Sequence, residues 1–282
     1  MLGSFDYVRP RTIVECIKTL GERADAAVMA GGTDLFVDMR NAVRHPACLI
    51  DIKGIDALRV LDVDGPSAIS IGSSVSLNRI LENPSVRTRF AGLAAAAESI
   101  ATYQLRNRAT LVGNICNASP AADMAPILLV LGADVLVAGA GGDRTIPLAR
   151  FFAGVKRNTL HPGELVTRVQ IPVQSGLRTG FAKQQRIRGH DLAVANAAGA
   201  YSPETDVLRL AVGSCAPTPV LLKPLTVGRA SALELVGSAL QEAGEAICPI
   251  DDVRSSSAYR NAVLPVLLRR LIETLISEKE GR

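Results

Sequence analysis

Two stretches of this chain have the residue types and spacing that hold a phosphate. They are Ala30-Gly31-Gly32-Thr33-Asp34-Leu35 and Thr110-Leu111-Val112-Gly113-Asn114-Ile115-Cys116-Asn117-Ala118-Ser119-Pro120. Glycines let the backbone turn sharply and let a ligand approach without a Cβ in the way. Their N–H groups, with the positive end of a following helix, suit a diphosphate. The Asp34 carboxylate would sit badly beside phosphate, so it is expected to cap backbone N–H groups. An ordinary strand-to-helix turn uses the same residues, and a short glycine motif alone is weak evidence. The second stretch is more specific. Thr110, Asn114, Asn117, Ser119 and Asp123 concentrate donors and acceptors that a core segment would not carry without partners. The alternative is a hydrogen-bonded loop that merely caps the helix after Asp123. Together the two loops predict one nucleotide-type cofactor gripped from two sides.

Other chemistries are poorly served. The Gly139–Gly142 cluster is followed by Arg144-Thr145-Ile146-Pro147, which reads as a strand, so the cluster is a hairpin turn and the Rossmann fingerprint is missing. His45, His161 and His190 lie in loop contexts and form no H-x-x-x-H pair for zinc. There is no G-x-S-x-G elbow. The five cysteines are irregularly spaced without a C-x-x-C pair, as expected of reduced, mostly buried thiols. A net charge of +4, with no Lys/Arg cluster interleaved with aromatics, excludes the footprint of a nucleic-acid binder. Lys183, Arg186 and Arg188 crowd one segment, which by itself reads as a solvated strand edge. The most apolar stretch, 124–140, contains Asp134 and is too short to span a bilayer. Asp6 interrupts any signal-peptide core at the start, so a soluble cytoplasmic protein is expected.

The elements that must position these residues follow from periodicity. At 282 residues and 48% hydrophobic, the chain suggests two domains. Helices are predicted at 11–20, 35–40, 77–81, 86–101 and 124–131, and again at 230–246 and 256–279. Strands are predicted at 26–29, 49–52 and 165–171, with hairpins over 58–71 and 135–146. The first glycine loop therefore sits between strand and helix. Pro172-Val173-Gln174-Ser175-Gly176 is the best linker. Beyond it, three strands (179–187, 192–201, 207–214) precede two helices, an α+β pattern.

These residues resemble the flavin subunit of the molybdenum hydroxylases, the family of xanthine dehydrogenase and aerobic carbon monoxide dehydrogenase. The resemblance runs through Phe5-Asp6-Tyr7 with Pro10, the first glycine loop, Gln104-Leu105-Arg106-Asn107, and Gly113-Asn114-Ile115 with Asn117-Ala118-Ser119-Pro120 and Asp123. It continues through Pro162-Gly163-Glu164-Leu165 to Ile171-Pro172. It implies an FAD-binding domain at 1–173, of the vanillyl-alcohol oxidase and para-cresol methylhydroxylase type with two subdomains. A C-terminal α+β domain at 177–282, a three-stranded antiparallel sheet with helices, follows. By position, Val28, Met29, Ala30, Gly31, Gly32, Thr33, Asp34 and Leu35 would wrap the diphosphate of a non-covalent FAD. Thr110, Leu111, Val112, Gly113, Asn114 and, farther on, Asn117 would form the second cradle. Asp123 would reach the adenosine half, and Val166 and Lys183 would make further flavin contacts. Gly32→Val is expected to expel the cofactor by filling the diphosphate's space. The resemblance departs at Ala109 and Val112, where the family has glycine.

The resemblance further implies an electron-transfer subunit of an oxidoreductase. A large subunit would carry the molybdenum-pterin cofactor and a small one two 2Fe-2S clusters, arranged as a dimer of heterotrimers. Electrons would pass from the clusters to FAD and on to an external acceptor, with Lys183, Arg186 and Arg188 stabilising negative charge on the reduced flavin. Two other readings stay open: an assembly subunit whose flavin site has decayed at Ala109 and Val112, and a free-standing flavin oxidase.

Overall fold

The computed structural model describes residues 2–187 and 189–277. The chain opens with a small parallel sheet in the order β1-β3-β2, formed by β1 (Asp6–Val8), β2 (Ala26–Met29) and β3 (Cys48–Asp51). All four residues of β3 are buried, because helices cover both faces of the sheet. Cys16 of α1 (Ile13–Glu22) packs with Ile50 and Ile52 on one side. Leu35 and Met39 of α2 (Leu35–Arg40) pack with Met29 and Leu49 on the other.

The second sheet is antiparallel and open. Its order is β4 (Leu61–Asp62), β5 (Ala68–Gly72), β10 (Leu165–Pro172), β6 (Asp134–Ala138) and β7 (Arg144–Pro147). A helical layer packs on it: α3 (Leu77–Leu81), α4 (Pro84–Arg89), α5 (Ala91–Glu98), α6 (Tyr103–Arg106), α7 (Leu111–Cys116) and α8 (Met124–Val130). A minimal hairpin, β8 (Phe152–Gly154) with β9 (Arg157–Asn158), follows β7.

The third sheet joins β11 (Arg178–Gln184), β12 (Ala195–Ser202) and β13 (Val207–Gly213) antiparallel, with the short β14 (Val220–Leu221) and β15 (Leu225–Thr226) both on β13. Its two faces are covered by different parts of the chain. Ala198, Ala200 and Ala211 join the core of α5 and α8, while Ala197, Tyr201, Leu208 and Leu210 pack against α9 (Ala232–Ala243) and α10 (Ser257–Ser277). Burial on both faces explains the run of alanines in β12: a methyl fills the space between two helical layers. Where α10 comes closest even a methyl is too large. A Cβ on Gly199 would lie 2.6 Å from Leu275 Cδ1.

Most predicted elements are present, and the differences have local causes. The helix predicted over 86–101 is two helices, because Phe90 leaves helical geometry (φ −133°, ψ 54°) with its side chain buried. Asn83, whose Oδ1 accepts from Ser85 N at 2.9 Å, and Pro84 start the first of them. The stretch after Thr110 is helical over 111–116 and not a loop. Gly113 and Asn114 give it low helix propensity, and the Thr110 cap offsets that. The strand predicted to run to Ile187 ends at Gln184, and the one predicted from Leu192 starts at Ala195. Arg188 and the last two positions of the helix predicted over 256–279 lie outside the described residues. No helix among the described residues is long and apolar enough to cross a membrane.

An ion cluster ties the start of α10 to the ends of the third sheet. Arg260 is only 2% exposed; its guanidinium donates to Ser214 O at 2.9 Å and to Asp252 Oδ1 at 2.7 Å. Arg254 also pairs with Asp252 and donates to Ala193 O at 3.3 Å. Burial alone would raise the Asp252 carboxyl; the two arginines outweigh it and hold the group well below the usual carboxylate range. A depressed folded-state pKa stabilises the fold above the unfolded value of about 3.9 and loses that stability as pH falls below it. Asp252→Asn is therefore expected to cost about 3 kcal/mol at pH 7, because it strips a buried arginine of its counter-charge. The variant should also lose less on acidification to pH 3 than the parent, as urea unfolding at the two pH values will read.

Candidate functional site

The first glycine loop is shaped by contact with the second. A Cβ on Gly31 would lie 2.1 Å from Arg108 O and 3.0 Å from Ala109 Cα, so only glycine lets the two backbones touch. Gly32 sits at φ +76°, and a Cβ there would meet the Phe36 ring at 3.0 Å. Gly32 is thus required by the loop's own conformation, which corrects the reason given above for Gly32→Val: the branch strains the turn and strikes Phe36. Phe36 N donates to Gly32 O at 3.1 Å and closes the first turn of α2. Asp34 occupies the cap position, but its side chain makes no capping hydrogen bond, contrary to the expectation from its residue type. The backbone N–H groups of Gly31, Gly32, Thr33 and Asp34 donate to no acceptor among the described residues. Val28 and Ala30 pack at the edge of the core beneath α1, and Met29 and Leu35 are buried under α2. These four side chains anchor the loop, whose residues Gly31 to Thr33 are half-buried and Asp34 exposed.

The second stretch begins beside that contact. Ala109 O accepts from Leu77 N at 2.9 Å, and Thr110 bridges to Ser76. Thr110 Oγ1 accepts from Gly113 N at 2.9 Å and so caps α7. Leu111, Val112 and Ile115 point into the core, where they share a cluster with Val166 of β10. Val112 therefore does not intrude on the loop face. A Cβ on Gly113 would meet only the Thr110 hydroxyl within 4 Å, at 2.8 Å. Asn114 Oδ1 accepts from Met124 N at 3.3 Å, linking α7 to α8, and Asn117 Oδ1 accepts from Lys156 Nζ at 2.8 Å. Burial pushes the Cys116 thiol up to about 12, which favours the thiol over the thiolate.

Asp123 and Lys183 form a buried ion pair across the chain's two halves. Lys183 Nζ lies 2.7 Å from Asp123 Oδ2, both side chains 6% exposed, and also donates to Ser99 O at 3.1 Å. Asn196 of β12 donates to Asp123 Oδ1 at 2.8 Å. Burial pushes the Asp123 carboxyl up, opposed by the Lys183 ammonium and the Asn196 amide. Lys183 is therefore no solvated strand edge. Arg186 is engaged elsewhere: its guanidinium forks onto Asp191 at 3.1 and 2.8 Å.

The structure thus brings Gly31 of the first loop against Arg108 and Ala109, just ahead of the second stretch, and Asp123 together with Lys183, while Asn117 and Arg186 turn to partners of their own. Sequence reasoning missed Asn196, which sits in an alanine-rich strand and was the signal there: one amide among residues that are otherwise all small or apolar. Other motif residues hold the scaffold. Arg106 donates to Glu98 O and Ile100 O at 3.1 and 2.9 Å, tying down the end of α5. Glu164 takes a two-point hold on Arg144, 2.7 Å at each contact.

Comparison with known proteins supplies the family of the chain. The family described as "FAD binding domain in molybdopterin dehydrogenase" matches residues 3–174, and "CO dehydrogenase flavoprotein C-terminal domain" matches residues 181–275. The chain is 30% identical to the glyceraldehyde dehydrogenase medium chain of Sulfolobus acidocaldarius over 93% of its own length and 95% of that protein. It is also 30% identical to the carbon monoxide dehydrogenase medium chain of Hydrogenophaga pseudoflava, over 95% and 96%. Among solved structures, carbon monoxide dehydrogenase from Hydrogenophaga pseudoflava superposes with a TM-score of 0.88 at 28% identity, covering 98% of this chain and 99% of that one. Quinoline 2-oxidoreductase from Pseudomonas putida 86 gives 0.89 at 25% identity, covering 99% of each.

The ion pair generates a prediction of its own. Lys183→Met leaves a buried carboxylate without its cation and is expected to cost about 3–5 kcal/mol. Adding Asp123→Asn to that variant should recover part of the loss, and denaturant unfolding of the single and double variants will measure the coupling. Strictly additive losses would show that the two charges do not interact.

Proposed function

Because the chain belongs to the family of FAD-binding domains in molybdopterin dehydrogenases, we propose that it is the electron-transfer subunit of a molybdenum hydroxylase. In this reading it takes electrons from the iron–sulfur clusters of a small partner subunit and passes them to an external acceptor. A large molybdopterin-binding subunit completes the complex, assembled as a dimer of heterotrimers. The observation that carries this reading is the backbone contact of Gly31 with Arg108 and Ala109, which sets the first glycine loop beside the residues that lead into the second.

The residues present fit the cofactor. Four consecutive backbone N–H groups, Gly31 to Asp34, have no acceptor among the described residues, which is what a diphosphate completes. Residues 28–35 and 110–114 would hold that diphosphate, and Asp123, Val166 and Lys183 the remainder of the cofactor. Bound FAD supplies the redox exchange. This chain's own residues supply position: α2 and α7 each present a capped or glycine-lined first turn, and the buried Asp123–Lys183 pair fixes the two halves against each other. The inward orientation of Val112 favours an intact cradle over a decayed one. We take 1–173 and 177–282 as the two domains, with support from the matched ranges and from the single connection at 172–177. Five cysteines without a disulfide, three of them fully buried, suit a reducing cytoplasm.

The complex, purified under native conditions, is expected to contain two partner chains and one flavin per copy of this chain, read by visible absorbance after protein quantification. A colourless chain within an intact complex would overturn the cofactor assignment. Gly31→Ala is expected to abolish flavin retention, because the methyl must displace the Arg108 carbonyl and open the cradle.

A further inference from the structure

Behind the first glycine loop lies a set of polar groups that the proposed function does not use. Lys53, just past β3, donates from Nζ to Ala30 O at 3.0 Å. The same ammonium lies 2.6 Å from Asp51 Oδ1, which also accepts from Lys53 N at 3.0 Å. Asp51 is 4% exposed at its side chain and Lys53 24%. The other carboxylate oxygen accepts from the Tyr7 hydroxyl, with Arg9 Nε 4.0 Å away. Burial alone would raise the Asp51 carboxyl; the hydrogen bonds from Lys53 and Tyr7 outweigh it and keep the group ionised below its ordinary range. A relay therefore runs from β1 through β3 to the loop: Tyr7, Asp51, Lys53, Ala30.

The last link matters because of peptide geometry. In a planar trans peptide the carbonyl oxygen and the amide hydrogen point to opposite sides. A cation fixed on Ala30 O therefore fixes the direction of the Gly31 N–H, away from the sheet. Without it, two adjacent glycines leave this peptide with wide rotational freedom. Asp51 cancels most of the ammonium's charge, so the effect is one of orientation and not of long-range field.

We propose that Lys53 is a positioning residue of the cradle: by holding the Ala30 carbonyl it aims the Gly31 N–H at the diphosphate of the cofactor. The inference rests on the reading that this loop binds FAD. Its worth is that of a single charge-assisted hydrogen bond, about tenfold in affinity.

The test measures FAD dissociation constants of the deflavinated full-length chain and of its Lys53→Met, Lys53→Arg and Tyr7→Phe variants by flavin fluorescence quenching. ADP and riboflavin serve as competitors, and melting of the flavin-free protein as a control. Lys53→Met should weaken FAD and ADP by the same factor, about tenfold, and leave riboflavin competition unchanged. Lys53→Arg, which keeps a cationic donor, should restore most of that affinity. Tyr7→Phe, at a ring 55% exposed, should give a smaller loss with the same ligand pattern. Equal FAD affinity in the parent and Lys53→Met, or a uniform loss for all three ligands with a lowered melting midpoint, overturns the positioning role and leaves the cofactor assignment standing. A parent chain that binds neither FAD nor ADP overturns the assignment itself.

Discussion

The arrangement depends on one close approach. The backbone at Gly31 lies against Arg108 and Ala109 with no room for a side-chain carbon. That contact joins the parallel sheet of β1–β3, with its own pair of covering helices, to the helical layer on the open antiparallel sheet. Everything that makes the cradle then follows from local rules. Gly32 turns the chain with a positive φ, Thr110 caps α7, and the side chains of Met29, Leu35, Leu111 and Val112 go inward. Backbone is thus left for the diphosphate proposed above, and backbone N–H groups can meet a polyanion without surrounding it with cations.

The second constraint is electrostatic. A buried ion pair between Asp123 and Lys183 adds little net stability, since desolvation offsets most of the attraction. Its value lies in register. Lys183 and Asn196 come from adjacent antiparallel strands, directly opposite each other in the ladder, and Asp123 comes from the turn before α8. Only one alignment of the third sheet on α5 and α8 brings the three together. Misalignment by one residue would leave a charge stranded among alanines.

Much of the fold was legible in the sequence because its signals are local. The strand, glycine turn and helix at 26–40, the helix at 77–81 and the 134–147 hairpin all follow from periodicity and turn residues. What was not legible depends on tertiary contact. The short helix at 111–116 has two poor helix formers in six residues and exists because Thr110 caps it and Leu111, Val112 and Ile115 are buried. Asp34 has the right type to cap and does not, since the Gly32 turn already closes the helix start. For the site, glycines and amides were visible as types, but Lys53 and Asn196 were not. Neither lies in a motif: Lys53 reaches Ala30 through the pairing of β2 with β3, and Asn196 reaches Asp123 through the packing of β12 on α8.

The alanine-lined face of β12 carries a consequence for biosynthesis. Ala198, Ala200 and Ala211 are roofed by α5 and α8, which the ribosome delivers long before β12. Until the last strands arrive, the first half of the chain displays the apolar undersides of those helices to solvent, and separating the two parts between Pro172 and Arg178 would uncover an apolar surface on both. The two modules therefore depend on each other to bury that face. Expressed alone, either portion would carry an apolar face that the other covers in the whole chain.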